Sequence, residues 1–329
     1  IHSMQVAWPT NFQLMNGISL AIISFVGLES ISQAAEETHR PSSIIPRTSV
    51  ALILTILIFA LAYSNLALGM QPWHDQALAH GQMFWQTLGT AQNSDKAVAI
   101  IAQNIPYFGY LAALYVPVLG AILLLISSNS GVFGSSRIAY SMSQSNLLPS
   151  VFQKIHPDYK TPAVSIVTFT GLAIVVLCLA AVQGDNGFNF LGDLYAFGAA
   201  ASYTLVFIAL IMLRFNDPST PRKFKMPLNI PMDYRGIRIE FPIIGVLGFF
   251  GIFAILIFVL LTHPIGRIAG PSWLILGIIG YLIYRRCKGL PLWRSVKRDW
   301  FKEQSAILIS AGELESLDEY RENTRKNKQ

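Results

Sequence analysis

Apolar residues occupy this chain in long runs separated by short polar stretches. Seven runs reach or approach the ~20 residues that an α-helix needs to cross a bilayer: residues 14–35, 48–70, 107–133, 162–182, 190–213, 241–261 and 268–284. Each is predicted to span a membrane. The pattern gives an all-α polytopic domain over residues 1–284 and a polar tail over 285–329. The first run departs from the rest. Its centre reads SFVGLES, residues 24–30, and places a glycine, two serines and a glutamate where hydrocarbon would lie. An unsatisfied polar group costs several kcal/mol there. Gly27 weakens a helix, and Ser24, Ser30 and Ser32 offer hydroxyls to freed backbone groups. Glu29 falls within about 6 Å of the midplane at the helical rise per residue, and an intramembrane carboxylate is a functional candidate. The combination predicts a discontinuous helix whose unwound carbonyls face a ligand. The alternative is close helix packing through the small residues Gly17, Ser24, Gly27 and Ser30.

Composition narrows the class. Charged residues make up 13% of the chain and hydrophobic ones 53%, against about 25% charge in soluble domains. The lipid bilayer is therefore a partner. The net charge of +6 forms no stripe suited to nucleic acid and instead reports topology. Placing the segment after the first run in the cytoplasm leaves only Lys96 and Arg267, of the 24 Lys and Arg, outside. That distribution predicts a cytoplasmic tail. Cys178 and Cys287 then lie on opposite sides and form no disulfide. The six His are scattered, so neither a metal nor another cofactor is expected. No GxxxxGK[ST] and no nucleophile–base or paired-carboxylate constellation is visible, which argues against an enzyme. In the segment 71–106, SDKAVAIIAQNI predicts a short surface helix. Leu314, Leu317 and Tyr320 recur at helical spacing in the tail and could dock on a cytoplasmic loop. Gly245, Gly248 and Gly251 recur every three residues, a close-packing pattern toward the same or a second protomer, so a homo-oligomer stays open.

Three blocks carry a resemblance to a known family. FVGLESISQAAEETHRPSSIIPR resembles the sixth helix and following loop of the amino acid–polyamine–organocation permeases. SSRIAYSMSQSNLLPSVFQKIHPDYKTP resembles their segment after helix 8, and LRFNDPSTPRKFKMPL the basic loop after helix 10. The resemblance implies that the seven runs are helices 6 to 12 of twelve. They would form the second half of a 5+5 inverted-repeat fold plus two extra helices, and the chain, which opens Ile-His-Ser-Met, would be a fragment.

It further implies secondary transport of amino acids by alternating access, in the plasma membrane. Substrate would sit between this break and a helix 1 outside the chain. Carbonyls of Ile23, Ser24 and Val26 would receive the substrate ammonium, Gly27 would permit close approach, and Phe25 would act as a lid or face lipid. Relatives that exchange arginine carry an aromatic where Ile23 stands, so a neutral or aliphatic substrate is favoured. Glu29 would couple or organise the helices. Ser127 and Ser128 match the place of a sodium site in some relatives, while proton-coupled relatives fill it from helix 5, so proton and sodium both stay open. Arg137 and Tyr140 would form an inner gate or an interface anchor. Asp193 and Tyr195 stand where helix 10 meets the outer surface. The alternatives are a polyamine or other organic-amine transporter and, in another class, a non-transporting seven-span receptor or scaffold.

Overall fold

The computed structural model describes residues 10–68, 97–184, 187–234, 237–292 and 299–326. The first apolar run is not one helix. The Thr10 hydroxyl accepts from the Gln13 amide, and the Gln13 side chain accepts from the Thr10 amide at 3.0 Å. This reciprocal cap starts α1 (Asn11–Ala21). The chain then tightens into a 3₁₀ turn over Ile22–Phe25 and opens through residues 26–29. It resumes as the single-turn α2 (Ser30–Gln33) and a second 3₁₀ turn, Ala35–Glu37. After α3 (Pro41–Leu68) come the short α4 (Ala97–Gln103) and α5 (Gly109–Gln144). Next are α6 (Ala163–Val182), α7 (Gly187–Asn216), α8 (Ile243–Thr262) and α9 (Pro264–Cys287).

Among the described residues, the six long helices are long and apolar enough to cross a membrane. They fall where the apolar runs predict. α5 continues well past residue 133, so Arg137 and Tyr140 stand on the helix itself. The expected surface helix is present as α4, while Ser94, Asp95 and Lys96 lie outside the described residues. One element was not expected. The Pro-rich segment after α7 folds into an antiparallel hairpin, β1 (Asn229–Tyr234) and β2 (Ile237–Pro242), with Ile230 opposite Phe241 and Met232 opposite Ile239. Phe215 from α7 packs edge-on against Tyr234 and Phe241.

The described residues fall into two compact units. One joins the chain up to Pro46 with Ser135 onward; the other is Arg47 to Gly134. In the second unit the helical surface is apolar and open: Phe59 is 71% and Leu124 73% exposed, a surface for lipid chains. The first unit is built around α7, which packs against α6, α8 and α9, while α1 lies along α8. Its core joins Ile22 at the end of α1 to Ala196, Phe197, Ala200 and Ala201 of α7 and Val259 of α8. Glycines admit the larger side chains. A Cβ on Gly270 would stand 2.3 Å from the Phe197 ring, and one on Gly248 would stand 2.5 Å from Phe207. Of the three glycines spaced along α8, Gly245 and Gly248 receive α7 side chains, and Gly251 meets nothing within 4 Å.

The tail forms its own helical hairpin. Asp299 caps α10 (Trp300–Ser310) by accepting from the Lys302 amide at 3.2 Å. Gly312, at φ +72°, turns the chain into α11 (Leu314–Lys326). Leu308, Leu317 and Tyr320 form a small core, and the Phe301 and Tyr320 rings stack 5.5 Å apart. The docking expected of this segment is present, although Leu314 stays exposed. The turn seats on the linker after the broken span: the Arg40 amide donates to the Ala311 carbonyl at 3.1 Å. The Ser42 amide, in the first turn of α3, donates to Glu313 Oε1 at 2.9 Å. α11 also reaches the loop after α7, with Lys223 Nζ 3.8 Å from Glu315 and Asn323 Nδ2 donating to the Ser219 carbonyl at 3.5 Å.

Candidate functional site

The break is held open by Gly27 and Glu29. Gly27 adopts φ +112°, a backbone that L side chains rarely take. Its amide donates to Glu29 Oε2 at 2.9 Å, so the carboxylate reaches back and satisfies a donor that the interrupted helix leaves free. The Glu29 carbonyl then receives the Ser32 amide and hydroxyl and the Gln33 amide, which starts α2. From α7, the Tyr203 hydroxyl donates to the same Oε2 at 2.6 Å. One carboxylate oxygen therefore ties the break to the central helix of the unit.

A cavity of about 1160 Å³ opens beside this tie. The broken span contributes Val26, Glu29, Ser32 and Gln33 to its wall; α5 contributes Arg137, Ile138 and Ser141; α6 contributes Val176. The long wall is α7, with Leu191, Leu194, Tyr195, Ser202, Tyr203 and Val206. Among the described residues, Glu29 and Arg137 are the charged side chains of the lining, and both are engaged. Arg137 Nε donates to Glu37 Oε1 at 2.9 Å, and its Nη2 bonds the same oxygen. That pair bridges the end of the broken span to α5.

The residues singled out from the sequence are placed as follows. Val26, Glu29 and Arg137 come together on the cavity wall. Ser24 and Phe25 are exposed in the 3₁₀ turn next to it. The Ile23 backbone belongs to that turn, and its side chain lies outside the described residues. Tyr140 is half-buried one turn beyond Arg137 and does not line the cavity. Ser127 and Ser128 are exposed on the part of α5 in the other unit, where the Ser128 hydroxyl donates to the Leu125 carbonyl of its own helix at 2.9 Å.

Sequence reasoning missed Tyr203 and Glu37. The face beside Tyr203 had a signal, since Gly192, Tyr195, Ala199, Ser202 and Val206 recur at three and four residues along α7 within an apolar helix, but Tyr203 itself is not part of that stripe. It also missed a buried polar series. His263, between α8 and α9, has Nδ1 2.7 Å from Asp193 Oδ1 of α7 and Nε2 2.7 Å from Ser19 Oγ of α1. Ser19 and His263 are 244 positions apart, and no local pattern joins them. The sequence showed no nucleophile–base constellation, yet the fold assembles a Ser–His–Asp series. Ser19 has no exposed surface, so no substrate atom reaches its hydroxyl. The series acts as a clamp between helices. Asp193, which the sequence places where helix 10 meets the outer surface, is thereby buried.

Comparison with known proteins agrees with this architecture. A family model described as Amino acid permease matches residues 2–284. The branched-chain amino acid permease BcaP of Bacillus subtilis is 25% identical over 287 residues, covering 87% of this chain and 53% of that protein. The methylthioribose transporter of the same organism is 24% identical over 234 residues, covering 69% of this chain and 45% of its own. Cationic amino acid transporter 4 of Mus musculus is 26% identical over 216 residues, covering 63% and 29%. The chain thus spans about half the length, or less, of these relatives.

Proposed function

This chain belongs to the amino acid permease family and is an integral membrane protein, and on that premise we propose that the intact protein carries neutral, aliphatic amino acids across the membrane by alternating access. The observation that carries the reading is the break at Gly27, pinned through Glu29 to Tyr203 beside a large, mainly apolar cavity. A helix interrupted at membrane depth presents oriented backbone dipoles to a ligand without placing a formal charge there. In this reading the carbonyls of Ile23, Ser24 and Val26 receive the substrate ammonium, with Phe25 beside them. The substrate carboxylate is met by a helix outside this chain.

The cavity supports the substrate class. Val26, Ile138, Val176, Leu191, Leu194 and Val206 offer an aliphatic wall. A second ammonium, as in a polyamine or a cationic amino acid, would need an uncommitted carboxylate. Glu29 is already bonded to Gly27 and Tyr203. The similarity to the branched-chain amino acid permease BcaP of Bacillus subtilis points the same way. The Arg137–Glu37 pair, with Tyr140 one turn on, is read as the inner gate of a protein in the plasma membrane whose tail is cytoplasmic.

The test is uptake of radiolabelled substrate by the intact protein in proteoliposomes. The expected result is saturable uptake of leucine, isoleucine or valine, with arginine and spermidine at least tenfold poorer. Saturable uptake of spermidine or arginine in preference to the aliphatic series would overturn the substrate assignment. Ligand binding with no flux of any amino acid would overturn transport itself.

A further inference from the structure

Among the described residues, the buried Asp, Glu, Arg and His side chains are Asp193, Arg214, His263, Arg285 and Glu313. All but one have a partner. Asp193 and His263 bind each other, Glu313 takes the Ser42 amide, and Arg285 bonds the Tyr281 hydroxyl. Arg214 is the exception. Its side chain is 8% exposed and makes no hydrogen bond or ion pair among the described residues. A guanidinium carries five N–H donors and keeps its charge, and a buried charge without a partner is costly.

The partners that a cation ordinarily finds at a helix end are taken. Arg214 stands in the last turn of α7, where a basic side chain can bond the final carbonyls. Arg222 folds back from the following loop and does so instead. Its Nη2 donates to the Asp217 carbonyl at 2.9 Å and the Leu213 carbonyl at 3.3 Å, and its Nη1 donates to the Thr220 carbonyl at 3.3 Å. The nearby carboxylates are committed as well. Asp217 Oδ2 accepts from the Thr220 hydroxyl, Glu240 pairs with Lys225 at 2.6 Å, and Glu315 pairs with Lys223 at 3.8 Å. Two guanidiniums are left as neighbours, since Arg222 is bonded to the carbonyl that precedes Arg214. Burial and the Arg214 charge hold the Arg222 pKa below its ordinary value, against the opposing pull of Asp217 and Glu240.

Depth limits what can join the pair. The membrane-length part of α7 is 28 residues, Asn189–Asn216, or roughly 42 Å at the helical rise, which matches a bilayer with its headgroup layers. Arg214 therefore stands at headgroup level, on the side where the tail docks, because Asn323 of α11 donates to the Ser219 carbonyl just beyond α7. Phosphate is the anionic group of that layer, and guanidinium forks suit its oxygens through parallel, charge-assisted bonds. We propose that Arg214 and Arg222 form a binding site for a phosphate-bearing anion, supplied by the headgroup of an acidic phospholipid. The phosphate oxygens take the unused donors of Arg214, and Arg222 supplies the second positive charge. A bound headgroup neutralises the pair and steadies the end of α7, the helix that forms the long wall of the cavity. Zwitterionic lipid serves less well, because its own cation faces two others.

The experiment is native mass spectrometry and thermal unfolding of the intact protein in detergent, titrated separately with phosphatidylglycerol, phosphatidylcholine and inorganic phosphate. The expected result is that phosphatidylglycerol is retained more tightly than phosphatidylcholine and raises Tm, while inorganic phosphate does not displace it. Arg214→Gln and Arg222→Gln should each weaken that retention about tenfold, the worth of a charged hydrogen bond, and remove the rise in Tm. Arg286→Gln, exposed at the end of α9 on the same side, should change neither. Inorganic phosphate that binds in an Arg214-dependent way and displaces the lipid would overturn the lipid source and leave the anion site standing. Retention of phosphatidylglycerol that survives both site variants, or that falls equally in Arg286→Gln, overturns the site, as does the absence of binding by lipid and phosphate alike. Should Arg214→Gln fail to fold, Arg222→Gln and the wild-type titrations still decide it. Uptake is not the readout, so the site stands or falls apart from the transport reading.

Discussion

At the scale of single residues, the break depends on Gly27 more than on any polar group near it. Space is not the constraint, since a Cβ there would meet nothing within 4 Å; the backbone at φ +112° is. A side chain costs about 1–3 kcal/mol in such a conformation, so the chain would rebuild the turn instead. Gly27→Leu should therefore abolish uptake while membrane insertion, measured by fractionation, stays normal. Tyr203→Phe removes one hydrogen bond from Glu29 and leaves the cavity's size unchanged. It should lower uptake roughly fivefold, the worth of about 1 kcal/mol, with no loss of folded protein on size-exclusion chromatography. Glu29 and Gly27 were legible in the sequence because a carboxylate and a glycine stand out in an apolar run. Tyr203 and His263 were not, because an aromatic in a span or a His at its end is ordinary, and only tertiary packing shows what each one touches.

At the scale of elements, hydropathy located each long helix to within a few residues, apart from the two that run beyond their apolar stretch. α3 starts earlier, at Pro41, and carries Pro46 within it, and α5 continues to Gln144 through polar residues that hydropathy discounts. The β-hairpin escaped because Pro and basic residues suggested a loop, although Ile237, Ile239 and Phe241 alternate with Arg238 and Glu240 as a strand does. The tail makes an element-level prediction. Glu313 supplies the acceptor for the Ser42 amide, and losing a cap of this kind costs about 0.5–2 kcal/mol. Glu313→Ala should speed hydrogen exchange of that amide about tenfold, with the amides in the middle of α7 unchanged. The tail also has an alkaline limit. Burial raises the Tyr320 phenol above its ordinary value of 10.0, so the folded hairpin holds the proton more tightly than the unfolded chain. Its stability is complete below that value and declines as pH rises beyond it. Tyr320→Phe should remove this decline, as followed by Trp300 fluorescence in a variant whose other tryptophans are replaced by Phe.

At the scale of the whole molecule, the chain spans about half of its relatives, and the cavity is walled by the broken span, α5, α6 and α7. On the proposed reading the substrate carboxylate is met elsewhere. Residues 1–329 expressed alone should insert into a membrane but give no substrate-dependent flux; robust uptake by this chain alone would sink the division of the site between two halves. The docking of the tail turn also bears on how the protein is made. Glu313 follows Ser42 by 271 positions, and a ribosome adding about 5–20 residues per second needs on the order of tens of seconds to cover that interval. Throughout it, the first turn of α3 stands without its acceptor. A product that stops before Glu313 would leave the Ser42 amide to water, so the first turn of α3 would fray more readily than in the finished chain.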